Sequence, residues 1–186
     1  TAGGFDPTLD VNAIRHVGSN SYSAPFSFSV PEPVGDLWLG FRYVPPNGDA
    51  NSINRAEASF LEFYSATNVL LGQIKPITTT NRYHAIAAGD TSVQGSSSYT
   101  APNGQPQWID VRVAVGAEIT IEFHVEGVLQ STATAANANG KGKPRHVVFA
   151  NTALHGISAN RTWYYAHIAA LDGVSTIGRR FVRRSP

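Results

Sequence analysis

The chain has 186 residues and a formal net charge of +1; 42% of its residues are hydrophobic, 15% are charged, and it carries 17 glycines and 11 prolines. That length suits one domain able to bury roughly 70% of its unfolded surface, and that composition is loop-rich and globular rather than disordered or coiled. The absence of cysteine excludes a disulfide framework, a thiolate zinc site and a cysteine nucleophile.

No run of 18 apolar residues and no charged-then-apolar leader occurs, so neither a membrane-spanning helix nor an uncleaved signal peptide is expected. Thr1 reads as a native start after loss of the initiator, with a removed leader or a tag scar as the alternatives. Charge is unevenly spread. Residues 1–140 hold six basic and twelve acidic side chains, net −6, whereas residues 141–186 hold eight basic and one acidic, net +7. Such a basic end looks for an acidic contact: another subunit, a nucleic acid, or a second copy of the chain.

In chain order, residues 1–35 read as an N-terminal arm that ends in a short first strand, FSFSV. Residues 36–178 follow as the body, and residues 179–186 as a basic C-terminal segment, all within one domain. The body opens on DLWLGFRYV, where Leu37, Leu39, Phe41 and Tyr43 share one side and Trp38, Gly40 and Arg42 the other. Further strands are expected at ASFLEFYSA, VLLGQI and RYHAIAA. The segment GDTSVQGSSSYTAPNGQPQ, residues 89–107, is polar and rich in glycine and serine, so it is either a long surface loop or a ragged edge hairpin. In WIDVRVAV the apolar set is Ile109, Val111, Val113 and Val115, against Trp108, Asp110 and Arg112. In EITIEFHVEG, Ile119, Ile121, Phe123 and Val125 oppose Glu118, Thr120, Glu122, His124 and Glu126. VLQSTATA, HVVFANT, TWYYAHIAAL and RRFVR complete the set, with ANANGKGKPR as a mobile basic loop. Asn47-Gly48, Asn103-Gly104 and Asn139-Gly140 supply turns. Many short alternating strands predict two stacked antiparallel sheets, an all-β jelly-roll sandwich with little helix; a barrel is the other solution.

WIDVRVAVGAEITIEFHVEGVLQSTATA resembles the middle of concanavalin A-like and laminin-G-like domains: an aromatic-led strand, then a strand ending in an acidic residue, Gly and two apolar residues. HVVFANT and WYYAHIAALDG are similar to that family's penultimate strands, and the likeness spans residues 36–172. The ending HIAALDGVSTIGRRFVRRSP resembles the close of lectin-like domains in tailed-bacteriophage virion proteins. That resemblance implies a virion protein made in the host cytoplasm, in head decoration or tail, docked on other capsid or tail subunits and homo-oligomeric. It carries over no sugar-binding or metal-binding residue.

The acidic strand tests a catalytic reading by distance. At about 3.4 Å per residue, Glu118 and Glu122 stand roughly 13.5 Å apart, as do Glu122 and Glu126. Glycosidase pairs need about 5–5.5 Å or 6.5–9.5 Å, so these glutamates do not pair. Glu122 and His124, about 7 Å apart on one face, leave room for a water or metal between them, although a solvated or subunit-facing strand surface is the plainer reading. His16, His84, His146, His155 and His167 show no metal spacing, and no metal or cofactor is expected. His167, inside an apolar strand, reads as a hydrogen-bonded core residue. No nucleophile elbow or phosphate loop appears, so no enzymatic activity is expected.

Trp38 and Trp108 fall on the outward parity, where an indole stacks on a sugar ring or anchors a protein, unless a loop folds over it. Trp163, Tyr164 and Tyr165 put aromatics on both sides of one strand, leaving at least one for a pocket or interface. Arg179, Arg180, Arg183 and Arg184 suit carboxylates or phosphates; with no basic stripe elsewhere, an acidic protein neighbour fits better than nucleic acid. Two function classes follow. One is a non-enzymatic virion component that clamps other subunits through its basic end. The other is an attachment module binding host carbohydrate through Trp38, Trp108 or the Glu122/His124 face, with no membrane contact in either case.

Overall fold

Period-two alternation forces a sheet to hide one face, and two such sheets hide their faces against each other. The computed structural model describes residues 2–6, 11–18, 26–44, 58–77, 82–100, 104–152 and 161–173, with side chains over 26–44, 60–75, 82–100, 104–149 and 164–173. These residues contain no helix. Their strands are β1 (Ala2–Asp6), β2 (Val11–Gly18), β3 (Phe26–Ser29), β4 (Leu37–Val44), β5 (Ala58–Ser65), β6 (Leu70–Ile77) and β7 (Arg82–Ala88). They continue as β8 (Ser92–Gln94), β9 (Gln107–Val115), β10 (Glu118–Val125), β11 (Val128–Ala136), β12 (Pro144–Thr152) and β13 (Arg161–Asp172). A seven-stranded sheet runs β1-β2-β13-β4-β9-β10-β11 and a six-stranded sheet runs β3-β12-β5-β6-β7-β8. Both are antiparallel, and together they make the jelly-roll sandwich expected from the alternation.

The inward sets read from the sequence are the ones that meet. Leu39, Phe41, Ile109, Val111, Val113, Ile119, Ile121 and Phe123 of the larger sheet are fully buried against Leu61, Phe63, Leu71, Ile74, Val147 and Phe149 of the smaller. An aromatic layer runs between them. Phe149 stacks on Phe26 at 4.6 Å and meets the edges of Phe41 at 5.0 Å and Tyr165 at 5.2 Å. Each such ring contributes roughly 1.5–3 kcal/mol of burial, and more where the edge-to-face geometry holds.

One flank of the sandwich is closed by glycine and serine. Gly89 and Gly95 lie where β11 passes the end of β7 and β8: a Cβ on Gly95 would stand 2.0 Å from the Thr132 carbonyl oxygen, and one on Gly89 2.1 Å from that of Ala136. The contact brings the Asp90 N–H within 2.7 Å of the Ala136 oxygen. Buried Ser131 accepts a hydrogen bond from the Ala85 N–H at 3.0 Å, joining the two sheets. The polar stretch 89–107 therefore includes the short edge strand β8.

Three expectations change. ANANGKGKPR is a fixed turn. The Lys141 ammonium donates to the carbonyls of Ala88 (2.6 Å), Gly89 (2.8 Å) and Leu70 (3.4 Å). Asp90 accepts from the Ala138 and Asn139 N–H groups, and Asn137 bonds the Gly116 and Lys141 carbonyls. His167 is exposed, because β13 carries an extra residue between Ala166 and Ala169, and its φ of 53° turns it out of the strand at this bulge. Residues 2–6 and 11–18, placed before the body, form strands hydrogen-bonded in series onto β13. Arg179, Arg180, Arg183 and Arg184, with the RRFVR strand, lie outside the described residues.

Replacing Gly95 with Ala forces a methyl against a backbone carbonyl that cannot rotate away. We expect a loss of roughly 1–3 kcal/mol in urea-induced unfolding, whereas Ala at Gly142, where nothing lies within 4 Å of an added Cβ, should cost far less.

Candidate functional site

The outer face of the seven-stranded sheet gathers most of the residues singled out above. Strand register sets them in rows across β4, β9 and β10: Trp38 beside Arg112 beside Glu122, then Gly40 beside Asp110 beside His124, then Arg42 beside Trp108. The hairpin between β10 and β11 brings Glu126 next to the last row. Its turn is Glu126-Gly127, with φ of 49° and 79°, which fits the right-handed twist of the paired strands.

Arg112 is the hub. Its Nε and Nη2 both lie 2.8 Å from Asp36 Oδ2, and its Nη1 donates to Glu122 Oε1 at 2.6 Å. Burial lowers the guanidinium pKa, but the two carboxylates outweigh it and hold the group above its ordinary value. Glu122 is engaged through both oxygens, because its Oε2 stands 3.3 Å from His124 Nε2. The 7 Å backbone spacing that left room for a water or metal is thus closed by the side chains leaning together. The His124 ring in turn lies 5.6 Å from the Trp38 ring.

The two outward tryptophans differ. Trp38 is only 6% exposed, and among the described residues its indole N–H has no hydrogen-bond partner. It shares the outer face yet is not a bare platform for stacking. Trp108 is half-buried and oriented at both ends: its Nε1 donates to Asp110 Oδ1 at 3.1 Å, and its backbone N–H donates to Glu126 Oε1 at 2.8 Å. Arg42 stands 3.5 Å from the same Glu126 oxygen. Tyr164 is half-buried near the start of β13, between β2 and β4, and the Trp163 side chain lies outside the described ones.

Asp36, Arg42, Asp110 and Arg112 were not singled out as site residues in the sequence, and Glu126 was weighed there only as a catalytic carboxylate. Asp110, Arg112 and Arg42 carried a signal, since each occupies an outward position beside a tryptophan. Asp36 carried none, as it reaches Arg112 across 76 positions of chain. Among the described residues no group of three acidic or histidine side chains is placed to hold a metal ion.

On the other sheet, Ser27, Ser29, Tyr64, Asn68, His146 and Val148 line a shallow depression of about 470 Å³. Ser29 Oγ is 2.9 Å from His146 Nδ1, but among the described residues no third carboxylate orients that imidazole as a nucleophile triad requires.

Asp110 is 2% exposed, and burial pushes its carboxyl up to about 6, partly offset by the Trp108 indole and by His124. A carboxyl raised in the folded state favours folding below its unfolded value near 4 and loses that contribution as pH rises to about 6. Asp110→Asn keeps an acceptor for the Trp108 N–H and removes the charge. Its stability relative to the parent should therefore climb between pH 4 and pH 7 by roughly 1–2 kcal/mol, read by urea denaturation at each pH. A difference that stays flat across that range contradicts the burial reading.

No protein-family model matches the chain, and no curated protein sequence matches it. Solved structures do match in fold. The cellulose-induced protein Cip1 superimposes with a TM-score of 0.59 at 14% identity, over 87% of this chain and 80% of that one. An endo-β-1,4-glucuronan lyase from the fungus Trichoderma reesei gives 0.61 at 10% identity, over 87% and 82%. A botulinum neurotoxin type C structure, from a toxin whose cell entry depends on interaction with two ganglioside molecules, gives 0.63 at 10% identity. It is covered over 43% of its length by 96% of this chain, so this chain spans less than half of it. At these identities the likeness is one of architecture: a lectin-like jelly-roll sandwich.

Proposed function

We propose that the outer face of the seven-stranded sheet binds carbohydrate, and that the chain is a glycan-binding module rather than a catalyst. The observation that carries this reading is the fixed lattice Asp36–Arg112–Glu122–His124 running beside the oriented indole of Trp108. Sugars present hydroxyls that donate and accept together with a flat C–H face. A rigid set of carboxylate and guanidinium edges meets the hydroxyls without losing side-chain entropy, and an indole meets the C–H face. The same rigidity argues against acid–base catalysis. Glu122 is engaged at both oxygens, by the Arg112 guanidinium and the His124 ring, leaving no unengaged carboxylate oxygen to exchange a proton with substrate.

The comparisons support this reading from the side of fold. The type C toxin interacts with gangliosides, and a related toxin binding domain forms a complex with SialylT. The particle role implied by the closing sequence has no counterpart among these structures and rests on that resemblance alone.

Binding should appear on a glycan array and in calorimetric titration of each hit. Trp108→Ala and Glu122→Gln should each weaken it about tenfold or more, a loss near 1.4 kcal/mol, with the β-sheet circular dichroism of both variants unchanged. Absence of any glycan hit, or hits that survive both substitutions, sinks the proposal. Release of reducing or unsaturated ends from a bound polysaccharide, lost in Glu122→Gln, would make the chain an enzyme instead.

A further inference from the structure

We infer that this face selects uncharged glycans and excludes acidic ones, an inference that rests on the carbohydrate-binding reading and specifies its ligand class. The positive charge on this face is already committed. Among the described residues the face formed by β4, β9 and β10 carries the carboxylates of Asp36, Asp110, Glu118, Glu122 and Glu126. Its guanidiniums are those of Arg42 and Arg112.

Each arginine already has a carboxylate beside it, and Arg112, at the centre of the face, is held by two. A uronate or sialate carboxylate is recognised through two parallel N–H donors of one guanidinium. Arg112 presents one edge to Asp36 and the remaining Nη1 to Glu122, so a ligand carboxylate would have to displace a carboxylate that is covalently part of the sheet. Arg42 stands beside Glu126, whose same oxygen already accepts from the Trp108 N–H. Glu118, exposed at the start of β10, adds uncompensated negative charge at the rim. An incoming anion thus meets like charge on approach, finds the Arg112 fork taken, and at Arg42 would lie against the Glu126 carboxylate.

A neutral sugar meets none of these obstacles. Its hydroxyls donate to the lone pairs that the ion pairs leave unused.

The test uses the full chain and a matched pair: a β-1,4-glucan oligomer, and the oligomer of the same linkage and length whose C6 carbons are carboxylates. A glycan array supplies neutral and acidic ligands of other linkages. In each case the readout is the part of binding lost in Trp108→Ala, which isolates this face from the basic C-terminal segment. We expect Trp108-dependent hits to be neutral, each at least about tenfold tighter than its acidic counterpart at 50 mM salt. Neutral binding should change less than about twofold between 50 and 500 mM salt. The Glu118→Gln/Glu126→Gln double variant should narrow the neutral-to-acidic gap at low salt. Trp108-dependent binding that favours the acidic member overturns the inference while leaving the carbohydrate-binding reading intact. A gap unmoved by both salt and the double variant also overturns it, because charge would then not be its cause. No Trp108-dependent hit of either kind ends both.

Discussion

The structure depends on the burial of one face of β4, β9 and β10 against β5, β6, β7 and β12. Leu39, Phe41, Val111, Val113, Ile121 and Phe123 from one sheet are closed over by Leu61, Phe63, Ile74 and Phe149 from the other, with no solvent left between them. Because side chains alternate along a strand, fixing these residues inward fixes Trp38, Arg42, Asp110, Arg112, Glu122 and His124 outward. The candidate site is therefore the reverse side of the core. A one-residue slip in β9 would destroy both at once, which is why the polar lattice can be held so tightly without a ligand.

That lattice needs more than parity. Arg112 sits at the centre because β9 is the middle of three strands and its guanidinium reaches across to Glu122 on β10 and to Asp36 at the entry to β4. A pair in open water contributes little, about 0–1 kcal/mol. Here each carboxylate is half-buried and shared, so the network acts mainly to fix orientation. The cost of burying an acid beneath this lattice shows at Asp110, whose carboxyl is pushed up to about 6 chiefly by burial.

Much of this was legible in the sequence, for a physical reason. Alternation encodes burial directly, so the inward sets of β4, β9 and β10 and the jelly-roll class follow from Leu37 to Tyr43, Ile109 to Val115 and Ile119 to Val125. Alternation says nothing about what lies over the outward face. Trp38 was rightly placed on that face, yet its burial there depends on neighbours distant in sequence. His167 shows the opposite failure: its apolar surroundings imply a core position, but an inserted residue in β13 turns it outward. The glycine- and lysine-rich turn reads as mobile from composition, whereas Lys141 is held by carbonyls from β6 and β7 that local sequence cannot reveal. Partners remote along the chain are the common cause.

The glycine seam between β11 and the β7–β8 hairpin gives the molecule two unlike flanks. On that side the sheets approach so closely that no foreign chain can slip between them. On the other, β3 and β1 end their sheets with no strand beyond them among the described residues, and their outer amide edges are available for pairing. At the seam the Ala136 carbonyl of β11 already accepts from Asp90, and the Thr132 carbonyl abuts Gly95, so strand addition by another copy has more open backbone to use at β1 and β3 than at β11.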